Sequence, residues 1–159
     1  MKKMVLLVMV LSVMFFGGVS WAGESSADRA QITAEARRGF EEILDLWRDR
    51  SYDALYERTL TAGGPDQWSF VDQLNHSARR PACCWEKIQD VSLVYVDAHT
   101  VQLNARLGIE VEGFGTRFVT RSFRLQKEAG VWKFAATEII ALAEPNMQRI
   151  PREIIERPL

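Results

Sequence analysis

Two adjacent thiols are the residues of this chain best equipped for chemistry. Cys83 and Cys84 stand in the run Arg79-Arg80-Pro81-Ala82-Cys83-Cys84-Trp85-Glu86-Lys87 and are the only 2 cysteines in the sequence. Four arrangements are open to them. One thiol can pack in the core while the other lies at the surface, as free cysteines often do. The neighbours can bond to each other in a small strained ring, which would be easily reduced and open to redox work. They can bridge two chains. A metal is the weakest of the four, because adjacent sulfurs cannot easily share one ion and no Cys or His cluster supplies the other ligands. Arg79 and Arg80 would lower a nearby thiol pKa, or they form the polar end of a helix.

Glu138, next to Thr137, is the lone carboxylate best suited to proton transfer. The pattern puts it on a last strand running from Val131 to Ile140, with Trp132, Phe134 and Ala136. Buried among apolar groups it would have a raised pKa and could act as a base. The 2 histidines fit no catalytic motif. His99 falls in an expected hairpin turn, and His76 near the end of a helix. No nucleophile–base set, metal cluster or phosphate loop stands out. Arg106, Glu110, Glu112, Arg117, Arg121 and Arg124 fall on expected strands. Cross-strand pairing there contributes about 0.2–1 kcal/mol per pair. The functional alternative is a polar wall that takes an acidic ligand or a partner.

The elements that must position these groups follow from hydrophobic periodicity. From Ile32 to Arg50, Ala36, Phe40, Ile43, Leu44 and Trp47 recur at helical spacing. Ser51 reads as the N-cap of a second, short helix carrying Tyr52, Leu55, Tyr56 and Leu60. Ala62-Gly63-Gly64-Pro65 ends it. A third helix starts near Ser69, with Phe70, Val71 and Leu74 inward, and fades by Arg80-Pro81. The period then changes to two. Val101, Leu103, Ala105, Leu107, Ile109 and Val111 alternate with polar residues or glycine, the clearest strand in the chain. Val91 to Val96 precedes it across the turn Asp97-Ala98-His99. Gly113-Phe114-Gly115 leads to a strand from Arg117 to Lys127, and Glu128-Ala129-Gly130 to the last. Three helices followed by about four antiparallel strands indicate an α+β fold, a curved sheet with the helices packed into its concave side.

This order resembles the NTF2-like superfamily of cone-shaped α+β domains. The likeness is carried by the long amphipathic helix, the short helix Arg50-Ser51-Tyr52-Asp53-Ala54-Leu55-Tyr56, the third helix and the closing Gly130-Val131-Trp132-Lys133-Phe134 after Leu125-Gln126-Lys127-Glu128. It covers residues 32–143. The resemblance implies a cone with a pocket at one end, for which Trp47, Tyr52, Tyr56, Trp85, Trp132 and Phe134 are the lining candidates. It also implies a homodimer through the outer face of the sheet. It does not choose among isomerases, dehydratases, cyclases, transport adaptors and exported binding proteins.

Residues 1–22 have the pattern of a signal peptide. Lys2 and Lys3 precede an apolar run from Val5 to Phe16, Gly17-Gly18 breaks it, and Ser20-Trp21-Ala22 offers small residues at the cleavage positions. The run is shorter than the roughly 20 residues a membrane span needs. Cleavage after Ala22 leaves a loose segment at 23–31, the domain at 32–143 and a polar tail at 144–159. Losing Lys2 and Lys3 makes the net charge of −1 more negative by two, so no basic surplus argues for a nucleic-acid or anionic-membrane partner. Export to the periplasm or beyond also makes oxidation of Cys83 and Cys84 more favourable. The expected function is therefore an exported, non-enzymatic module that binds a small molecule or an envelope protein and uses no cofactor. The alternatives are a small pocket enzyme of the isomerase, dehydratase or cyclase kind, or thiol redox work at Cys83-Cys84.

Overall fold

The structure is a computed structural model that describes residues 25–144. The expected signal peptide and nearly all of the C-terminal tail lie outside the described residues. The described residues are α+β, with four helices and a mixed six-stranded sheet among them. Helix α1 spans Ser26–Arg48, α2 Tyr52–Glu57, α3 Gln67–Asn75 and α4 Ala136–Ala143. The strands are β1 Thr59–Leu60, β2 Arg79–Pro81, β3 Ile88–Asp97, β4 Thr100–Val111, β5 Gly115–Glu128 and β6 Val131–Ala135. A single 3-10 turn, Cys84–Glu86, joins β2 to β3.

Helix α1 begins two turns before the apolar stripe does. Ser25 and Asp28 form a reciprocal capping box, Asp28 N–H donating to Ser25 Oγ and Ser25 N–H to the Asp28 carboxylate, each at 3.1 Å. Two of the helix's orphan N–H groups are thereby satisfied. Residues 26–31, expected to be loose, are therefore helical. The buried face carries Ala36, Gly39, Phe40, Ile43, Leu44 and Trp47. Gly39 is required there, because a Cβ would stand 2.7 Å from Trp132 Cβ.

Strand β4 is the axis of the sheet. It pairs antiparallel with β5 from Thr100–Gln126 to Val111–Gly115, and its other edge is shared by β2 and β3. The path from β4 runs on through β5 and β6 to β1, which is parallel to β6. Val101, Leu103, Ala105, Leu107 and Ile109 are buried, as their strict alternation requires, and meet the aromatic face of α1. Phe40, Phe123 and Phe134 form a three-ring cluster with centroids 5.0 to 5.9 Å apart.

Three expectations are corrected. The second helix stops at Glu57, since Thr59–Leu60 pair with Phe134–Ala135 as a short parallel strand. The third helix ends at Asn75, and Arg79–Pro81 are a strand opposite Ile109–Val111. The last strand stops at Ala135. Beyond it Ala136, Ile139 and Ala143 face inward at helical spacing, which makes α4 a helix.

Candidate functional site

Cys83 and Cys84 are bonded to each other. Of the four arrangements, the structure takes the vicinal one. The bond sits in an excursion between β2 and β3, two strands that share the same edge of β4. Opposite the excursion is Gly108. Ala82 N–H donates to the Gly108 carbonyl at 2.8 Å, and Gly108 N–H donates to the Lys87 carbonyl at 3.3 Å. A Cβ on Gly108 would collide with the Glu86 carbonyl and stand 3.0 Å from Ala82 Cβ. The loop lies so close to β4 that only hydrogen fits between them.

Three side-chain contacts anchor the excursion, two to α1 and one to β5. Arg48 of α1 donates to the Pro81 carbonyl at 2.8 Å. Lys87 reaches Asp45 of α1 at 2.7 Å. Thr116 of β5 donates to Glu86 at 3.0 Å. Between these anchors Cys84 is exposed and holds a positive φ of 59°, uncommon for a residue with a Cβ. Trp85 beside it is 74% exposed.

The expected pocket-lining residues do not come together around an opening. Trp47, Trp132 and Phe134 are packed in the core between α1 and the sheet. Tyr56 packs its ring on Phe70 at 5.4 Å and donates its hydroxyl to the Pro65 carbonyl at 3.2 Å. Trp85 is on the surface, so its assignment to a pocket is corrected. Tyr52 is buried at the start of α2. The indole N–H groups of Trp47 and Trp132 are buried without a hydrogen-bond partner among the described residues.

Glu138 is not a desolvated base. It lies in the first turn of α4, with its side chain 45% exposed and Arg121 at 3.5 Å. A carboxylate in the first turn of a helix complements the helix dipole, which accounts for its place without catalysis. His76 caps the end of α3, exposed, with Nδ1 2.8 Å from the Asp72 carbonyl. His99 occupies the β3–β4 turn, where its N–H donates to Asp97 at 2.8 Å. Among the described residues no group of His, Cys, Asp or Glu could hold a metal ion, and no helix is long and apolar enough to cross a membrane.

The polar residues that do converge form a groove of about 410 Å³ where the end of α1, strand β2 and the β4–β5 turn meet. Arg50, Tyr52, Arg79, Arg80, Glu110 and Glu112 are among its walls. Glu110 accepts from Arg48 at 3.0 Å and from Arg80 at 2.8 Å. Those hydrogen bonds, that from Arg48 foremost, hold the Glu110 carboxyl below its ordinary value of 4.5 against a smaller opposing effect of burial. Arg79 donates to the Glu144 carbonyl at 3.1 Å.

Arg50 enters this groove through an unusual helix ending. Ser51 N–H donates to the Leu46 carbonyl at 3.0 Å and Arg50 N–H to the Trp47 carbonyl at 3.1 Å. This is the Schellman pairing, with Arg50 in the left-handed position at φ 58° where glycine is usual. Sequence reasoning singled out Arg79, Arg80 and Tyr52 separately and passed over Arg50. Its signal was its place between a helix end and the N-cap Ser51, where a turn residue belongs. The chain matches no family model and no curated protein sequence.

Proposed function

We propose that the protein is an exported NTF2-like domain that binds a ligand or partner at its surface rather than transforming a substrate inside a cone. The observation that carries this reading is the filled interior. Trp47, Phe40, Phe70, Phe123 and Phe134 are all buried to within 1% of full burial in the space a substrate would need. The carboxylate offered for proton transfer stands outside that space, half-exposed and beside Arg121. The order of a long helix, a short helix, a third helix and a meander from β3 to β6 supports the cone. The closed Cys83–Cys84 bond supports an oxidising compartment, where such bonds persist. In the NTF2-like reading a second copy docks on the outer sheet face, which carries exposed Val94 and Val96 and half-exposed Phe118 under the Arg106 guanidinium.

The buried indoles of Trp47 and Trp132 report on the interior. In a nuclear magnetic resonance titration with an apolar fluorescent dye such as anilinonaphthalene sulfonate, both indole signals are expected to stay in place. Saturable movement of both would mean that the interior admits a ligand, and would overturn the surface-binding reading.

A further inference from the structure

We infer that the groove between the end of α1, strand β2 and the β4–β5 turn binds the carboxylate end of a small molecule, with Arg50, Arg80 and Tyr52 as its contacts. The inference rests on the surface-binding reading and gives it a ligand class. The groove, at about 410 Å³, is of the size that small-molecule sites occupy, about 300–1,000 Å³.

Three arginines and two glutamates line the groove, and Arg48 behind it also binds Glu110, which leaves a cationic surplus. Arg48 and Arg80 share Glu110, and Arg80 does so through Nε alone, so its two terminal nitrogens make no bond among the described residues. Arg50 makes no side-chain hydrogen bond or ion pair among the described residues. A guanidinium offers a planar pair of donors that matches a carboxylate in two parallel bonds.

Tyr52 supplies the second, independent mark of a built site. Its ring is buried at 8% exposure while its hydroxyl, bonded to none of the described residues and not sealed from water, is left to donate into the groove it lines. Burial raises the Tyr52 pKa, and the charges of Arg50 and Arg80 oppose that rise, so the phenol feels both guanidiniums. A carboxylate held by Arg50 and Arg80 would accept the hydrogen bond that the phenol lacks.

Arg50 also stands where the backbone would favour glycine, because a side chain in the left-handed region is disfavoured. Nothing in the helix ending requires this side chain. Arg50→Gly therefore removes a binding group without breaking the fold, and Tyr52→Phe removes only the unpartnered hydroxyl.

Calorimetric titration of the purified, disulfide-bonded protein with succinate, inorganic phosphate and neutral succinamide tests the inference. Succinate is expected to bind saturably, and succinamide not at all. Arg50→Gly and Tyr52→Phe are each expected to melt no lower than the wild type within a few degrees, and to bind succinate about tenfold or more weakly. Binding of phosphate without succinate would overturn the carboxylate assignment, as would no succinate binding at all. Equal succinate affinity in both variants would place the anion elsewhere and overturn the groove, while leaving surface binding intact. Movement of the Trp47 and Trp132 indole signals on succinate binding would overturn both.

Discussion

Glu110 is held between Arg48 and Arg80, and both cations favour its charged form. Its folded pKa lies below the ordinary value of 4.5, so the unfolded chain binds more protons as pH falls through that range. The stabilisation is complete above the unfolded value and is lost as pH drops through the folded one. Glu35 shifts in the same direction through Lys127, and Asp66 through the Ser69 N–H it caps. The urea midpoint of the wild type is therefore expected to fall between about pH 5 and pH 3, and Glu110→Gln to flatten part of that slope. An unchanged slope in the variant would show that the two-arginine clamp contributes nothing to acid sensitivity. At this scale the sequence was informative about residue types and silent about partners. Glu110 could be seen as a charged strand position, but Arg48, 62 residues away, could not be seen to reach it.

The elements were more legible where one period ran long. Strand β4 was readable from six alternating apolar positions because one face meets the core and the other meets water. The α1 stripe was readable for the same reason, while its capped start was hidden because Ser25 to Gln31 are exposed and carry no apolar pattern. The end of the chain misled through composition. Val131 to Ile140 reads as one apolar run, yet Ala136, Ile139 and Ala143 already carry helical spacing. The excursion between β2 and β3 was invisible, since two short strands on one edge of β4 leave no periodic trace. Gly108 is its one local sign, an interruption of the polar face of β4. Gly108→Ala should cost about 1–3 kcal/mol, the range for overpacking a close contact. The cost would appear as a lower denaturation midpoint with slower formation of the Cys83–Cys84 bond during oxidative refolding. A neutral Gly108→Ala would mean that the excursion can lift off β4 freely, and that the disulfide is not held in place by the sheet.

On the scale of the whole molecule, α1 covers one face of the sheet, and the aromatic side chains of both meet in the middle. α+β architecture was readable from helices followed by strands. Whether the middle would be open or filled was not, because Trp47, Trp132 and Phe134 suit a pocket wall and a packed core equally well by type. The packing assigns them to the core, which leaves the arginine groove and the exposed turn of Cys84 and Trp85 as the surfaces open to a ligand or partner. The proposed export would join these features, since an oxidising compartment would keep a disulfide closed at an exposed position. The most direct measurement is the intact mass of the protein recovered from the periplasm of a bacterium expressing the complete sequence, alkylated before and after treatment with a dithiol. The expected product begins at Gly23, takes up no alkyl group before reduction and two after it. A product that keeps Met1 to Ala22 and is alkylated at both cysteines without reduction would contradict the account.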